Sequence, residues 1–358
     1  MDNTPGGLAG SRHGLGRDRR SAALAALTTV PVALIWLALA RVVAAHSGNA
    51  LLQPEFPAVF FMWSFDPTVV LPLVLAATGY MWAVRSVNAA HPHNRVPILR
   101  VVAWLAGLFV IELALQSPIE AYDTTLFSDH MVQHVLLTVV AAPLMALGAP
   151  ITLLLRFAQP DVRRRWILPI LHSRIVRAIS FPVVTWVLFA GYMWVSHFSS
   201  LYELSLENPL IHQAEHAGYL FTALLFWWPA VGADPSPWRM SHPARLLYTF
   251  LQMPQNTFLG VTLYSSTAVL YPYYEALGRT WGPSVIDDQR IAGGIMWISG
   301  DFVFMGAMML ILYGLVRNVE RQTPAIDARE ARAVAAIRER EIALAERLAS
   351  ERGGSGRP

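Results

Sequence analysis

Residues 129–156 read DHMVQHVLLTVVAAPLMALGAPITLLLR, and this stretch decides the fold. No carboxylate or guanidinium lies between Asp129 and Arg156. At about 1.5 Å of rise per residue, a helix over His130–Leu155 exceeds the ~30 Å of hydrocarbon in a bilayer. Lipid is therefore its natural solvent. The same stretch opens on two histidines four residues apart, His130 and His134, so the chemistry and the fold meet in it.

Outward from this segment, similar apolar runs bounded by charge occur at Ser21–Ala45, Pro67–Val84, Ile98–Leu115, Ile179–His197, Ile211–Gly232, Leu246–Ala268 and Ile291–Val316. The expected fold is all-α, a polytopic transmembrane bundle of eight helices: one N-terminal helix plus a seven-helix core within 63–316. Composition agrees, with 54% hydrophobic residues, 14% charged residues and a mean hydropathy of +0.41. Soluble domains carry about 25% charged residues. The chain has no cysteine, which excludes disulfides, iron–sulfur clusters and thiolate metal sites. Every basic residue is arginine, spread over the connections and the tail. That is the distribution of topology determinants, not of a nucleic-acid surface.

Charge orients the bundle. Arg85, Arg95 and Arg100 mark one connection, Arg156, Arg163, Arg164, Arg165, Arg174 and Arg177 the next but one, then Arg239 and Arg245, and finally Arg317 and Arg321. The alternate connections carry Glu120, Asp123 and Asp129, then Glu203 and Glu207, then Glu275, Asp287 and Asp288. By the positive-inside rule the arginine-rich connections and the C-terminus are cytoplasmic. The expected location is the plasma (inner) membrane of a bacterium. Residues 1–20 form a cytoplasmic arm, and residues 21–45 a retained helix or a signal anchor. Residues 323–352 form an amphipathic tail helix, with Ile326, Ala333, Ile337, Leu344 and Leu348 on one stripe, and 353–358 are disordered.

Topology also sorts the histidines. His91, His93, His172 and His242 fall by the cytoplasmic connections, and His13 in the N-terminal arm. His46, His130, His134, His197, His212 and His216 fall on the outer side. His212-Gln213-Ala214-Glu215-His216 repeats the four-residue spacing of His130 and His134, so each pair shares one helix face. Counting inward from the outer ends puts His134 and His216 roughly 6–7 Å below the surface, level with Glu112, Met193 and Met296. Imidazole suits copper, zinc, iron and nickel, and thioethers tilt the choice toward Cu(I). Ionisable groups inside a span mark functional sites. The candidate metal ligands are His130, His134, His212 and His216, followed by Glu112, Met193, His197, Glu215 and Met296; no catalytic residue is assigned. Asp301 sits near the midplane, with Gln252 and Asn256 as candidate partners. Two other readings stay open. His212, Glu215 and His216 match the H-x-x-E-H pattern of one zinc-protease group, and facing histidine pairs can hold haem.

Several stretches resemble the CtaG-type (caa-type) cytochrome c oxidase assembly factors of bacteria, which are polytopic membrane proteins. They are Trp63-Ser64-Phe65-Asp66-Pro67, Asp129 to Leu137 with Ala142-Pro143-Leu144 and Gly148-Ala149-Pro150, Glu215-His216, and Phe226-Trp227-Trp228-Pro229. Asp288-Gln289, Gly293 to Trp297 and Gly300-Asp301 complete the set. The resemblance runs from Trp63 to Val316. It implies a non-enzymatic role in maturing a haem–copper oxidase by delivering or inserting copper. The expected partners are oxidase subunits, the lipid bilayer and a periplasmic copper donor, with no nucleic acid.

Overall fold

The computed structural model describes residues 53–354, and within them the chain is helical without strands. The N-terminal arm, the helix expected at Ser21–Ala45, His13 and His46 lie outside the described residues. We number the long helices α1 (Pro67–Ala90), α2 (Ile98–Gln116), α3 (Phe127–Phe157, interrupted), α4 (Pro182–Phe198), α5 (Pro209–Val231), α6 (His242–Ser265) and α7 (Val285–Gly354). Four segments are long and apolar enough to cross a membrane by length and composition: Pro67–Ala90, Ile98–Tyr122, Phe127–Phe157 and Val285–Arg347. Seven of the eight expected helices fall among the described residues, and four of these meet both criteria. α4 has only 17 residues, while α5 and α6 carry polar side chains such as Gln213, Glu215, Gln252 and Asn256 along their length. The outside of the bundle is apolar, with Phe109 61% and Phe302 68% exposed. Large exposed apolar surface of this kind marks contact with lipid or another protein.

Helix starts follow local chemistry. Asp66 caps α1 by accepting from Thr68 N at 2.8 Å, with Pro67 in the first turn. Asn208 does the same for α5, accepting from Leu210 N and Ile211 N at 3.0 and 3.4 Å ahead of Pro209. α3 has no cap of its own. Asp288 of α7 supplies one, accepting from Phe127 N at 2.7 Å and from the Ser128 hydroxyl at 2.6 Å.

The expected fourth helix is not one straight rod. After Val135 it widens to a π-helix over Leu136–Ala141, becomes α-helical over Ala142–Leu147, and breaks before Pro150–Phe157. Pro143 explains the wide turn, because it has no N–H to give to the preceding turn. The released Thr138 carbonyl accepts instead from the Trp227 indole of α5 at 2.8 Å. At the break, Ala149 adopts a left-handed φ of 50°. Asp234 then caps the segment starting at Pro150, accepting from Ile151 N at 3.0 Å and Thr152 N at 2.6 Å.

α6 and α7 cross at glycines. A Cβ on Gly260 would sit 2.9 Å from the Gly293 carbonyl, and one on Gly293 would sit 2.7 Å from the Gly260 carbonyl. Nearby, Asp301 accepts from the Thr257 hydroxyl at 2.7 Å and from Asn256 at 3.4 Å. Gln252, the other expected partner, turns instead toward the Met193 sulfur at 3.8 Å.

The tail does not form a separate helix. α7 runs unbroken through Pro324 to Gly354, so Gly353 and Gly354, expected to be disordered, are helical. The alanine, arginine and glutamate that fill this region are strong helix formers, and no glycine interrupts them between Gly314 and Gly353.

Candidate metal centre

The bundle has an acidic end, where α3 and α5 begin and α4 ends, and the histidines gather just inside it. Each arrives by a short chain of local causes. His130 is one residue past the Asp129 turn that Asp288 caps, and His134 follows one turn deeper. His212 and His216 occupy the first two turns of α5, set by the Asn208 cap. His197 stands at the end of α4.

Their rings converge. Ring centroids lie 4.3 Å apart for His130 and His134, 4.4 Å for His212 and His216, 5.4 Å for His130 and His212, and 5.5 Å for His134 and His216. His197 joins at 6.1 Å from His134. All five are buried, His130 completely.

Two groups bring ligand atoms within 4.8 Å of one another. Asp123, His130, His212 and His216 make the first, and His130, His134 and Glu215 the second. His130 belongs to both. In the first, His212 Nε2 donates to Asp123 Oδ2 at 2.7 Å. A carboxylate behind an imidazole is the usual way a ligating ring is oriented. In the second, Glu215 Oε2 lies 4.0 Å from His130 Nε2. His197 is oriented differently: its Nδ1–H donates to the Met193 carbonyl at 2.8 Å, leaving Nε2 as the electron-pair donor.

Both ring nitrogens of His130 and of His134, and Nε2 of His197 and of His216, are buried without a hydrogen-bond partner, as is His212 Nδ1. Buried polar atoms are paired in the great majority of cases, because an unpaired one forfeits its hydration. Unpartnered atoms occur elsewhere among the described residues, on Trp104 and Ser180 for example, but the seven imidazole nitrogens gather in one place and belong to groups that coordinate borderline metals. These groups are able to hold a metal ion.

Toward the bundle interior the histidines border a small cavity of about 20 Å³, lined by His134, His197, Met193, Met296, Tyr219 and Asn256 among others. Toward the acidic end they are covered by aromatics. The Tyr202 ring is 4.9 Å from that of His130. Tyr274 hydrogen-bonds Tyr202 at 2.8 Å and donates to the Asp123 carbonyl at 3.2 Å.

Of the residues singled out from the sequence, His130, His134, His212, His216, Glu215 and His197 come together, and Met193 and Met296 line the adjoining cavity. Glu112 does not join either group; it is half-buried on α2, one residue beyond the buried Ile111 and so turned 100° from it. In the sequence Asp123 carries only a topology signal. Its contact with His212 spans 89 residues, and no local spacing announces it. Tyr219 is different. It sits three residues after His216 on the same helix, its ring 4.0 Å from that of His134, so helical spacing alone would have found it.

Comparison with known proteins gives the family. The model of the cytochrome c oxidase caa3 assembly factor matches residues 78–318. Among curated proteins, an uncharacterized protein of Mycobacterium bovis and one of Mycobacterium tuberculosis are each 30% identical over 293 residues, which is 80% of this chain and 43% of theirs. An uncharacterized protein of Mycobacterium leprae is 29% identical over the same length, 44% of its own. The chain thus spans less than half the length of these relatives. No solved structure matches. The matched segment holds α2 to α6, most of α1, the part of α7 up to Asn318 and every histidine of the cluster, and the chain belongs to the cytochrome c oxidase caa3 assembly factor family.

Proposed function

We propose that this chain is a non-catalytic membrane assembly factor that binds copper at the outer side of the membrane and delivers it to a subunit of a haem–copper oxidase. In this reading α1 to α7 form a seven-helix membrane unit with the acidic end outside and the C-terminus in the cytoplasm, preceded by an N-terminal membrane helix. The metal is cargo. It reaches the site from a periplasmic donor and leaves by ligand exchange. His130, His134, His212 and His216 are the principal ligands, with Asp123 and Glu215 beside them.

One observation carries this: imidazoles from α3 and α5 converge, with buried ring nitrogens that have no hydrogen-bond partner. Burial also weighs against the two competing readings. A protease that uses His212, Glu215 and His216 needs a cleft for a peptide, yet Glu215 and both histidines are at most 4% exposed. Haem needs room between facing rings, and the rings facing across α3 and α5 are already 5.4–5.5 Å apart, centroid to centroid.

The test is genetic and analytical together. His134→Ala and His216→Ala are expected to lower the copper content of the purified protein at least tenfold, a typical scale for damage to a metal site. Oxidase activity in membranes should fall, while the protein stays in the membrane at normal abundance. Normal oxidase activity in a strain lacking the gene and any paralogue overturns the assembly role.

A further inference from the structure

We propose that the histidine cluster is the entrance of a graded path, and that copper moves inward as Cu(I) to a second position in the cavity between His134, His197, Met193 and Met296. This rests on the copper-binding reading above and adds to it a direction and a destination.

The ligand groups overlap as a ladder. His130 belongs both to the group with Asp123, His212 and His216 and to the group with His134 and Glu215. His134 in turn belongs to that second group and also lines the cavity with His197 and the two methionines. An ion can therefore be held by a shared ring at each step while one set of partners is exchanged for the next. His134 lies one helical turn, about 6 Å, deeper than His130. Thr138, which also lines the cavity, is a further turn in.

Donor character changes along the way. The group nearest the acidic end contains a carboxylate, the middle group contains Glu215, and the cavity adds two thioethers to its imidazoles with no carboxylate among its lining residues. Soft thioethers select Cu(I) over harder ions. The cavity, at about 20 Å³, admits a body the size of one water molecule. His197 is pre-set for the role: its Nδ1–H is tied to the Met193 carbonyl, and its Nε2 is buried and unpartnered. Movement between positions is ligand exchange alone. Each new Cu–N or Cu–S bond replaces an outgoing one, and the oxidation state stays +1.

The experiment uses the full chain in lipid nanodiscs, loaded anaerobically with Cu(I) against a chromophoric chelator and examined by copper X-ray absorption. Wild-type protein is expected to show sulfur as well as nitrogen neighbours. Met193→Leu combined with Met296→Leu should remove the sulfur signal and weaken Cu(I) retention about tenfold, with nitrogen coordination kept. Asp123→Asn combined with His212→Ala should slow loading at least tenfold and leave the sulfur signal at equilibrium. Copper bound by wild-type protein through nitrogen and oxygen alone overturns the inner position while leaving the copper-binding reading intact. So does loss of all binding in the Asp123/His212 variant. Wild-type protein that retains no copper overturns both.

Discussion

Asp288 shows how much one side chain can settle. It belongs to α7, yet it caps α3 and so fixes where the His130 and His134 turns begin. Asp288→Ala is expected to cost about 0.5–2 kcal/mol, the usual range for a lost cap, read as a lower thermal midpoint in detergent, with reduced copper retention. Asp287→Asn should change neither, because that carboxylate is exposed and bonds only within its own turn, to Ser284 and Arg290. The two aspartates are adjacent and look alike in the sequence. The histidine pairs were legible there because a four-residue repeat is a local signal with a known geometric meaning. Asp123 and Asp288 were not, since their partners lie 89 and 161 residues away and only the packed bundle brings them together.

At the scale of helices, the α6–α7 crossing brings two backbones into close contact. A methyl on Gly293 would meet Tyr264 N at 2.6 Å and the Gly260 carbonyl at 2.7 Å, both of them backbone atoms that cannot rotate away. At Gly294 the nearest atom is a Tyr264 ring carbon at 3.9 Å. Gly293→Ala is therefore expected to part the helices and cost about 1–3 kcal/mol, with Gly294→Ala close to neutral; thermal denaturation of the two variants side by side checks it. Met296 follows one turn later on α7, so the first variant should also loosen the cavity wall. Apolar runs and flanking charges made the positions of α1 to α7 readable, but not their ends. α6 begins at His242 and α7 at Val285, each ahead of its apolar run, because Ser241 caps the one and Ser284, Asp287 and Asp288 gather at the start of the other. The tail's continuity with α7 was missed for the opposite reason. Polar residues after Val316 look like the end of a membrane segment, although they are favourable for the helix itself.

The whole molecule is polarised. Within the bundle, Glu120, Asp123, Asp129, Asp288 and the buried imidazoles collect toward one end, and arginines such as Arg156, Arg163, Arg239 and Arg245 collect around Asp234 at the other. The proposed orientation predicts that a reporter fused at the C-terminus is active only on the cytoplasmic side, and that one inserted at Glu207 is active only outside; the reverse pattern would move the metal centre to the cytoplasmic face. Between the two ends, α3 carries its wide turn at Leu136–Ala141, directly after the two histidines. That turn is a phase adjustment. Removing a single residue from it would rotate His130 and His134 by about 100° relative to the rest of their helix, swinging both rings off the bearing on which α4 and α5 meet them. The length of this segment, as much as its composition, is thus part of the instruction that assembles the centre.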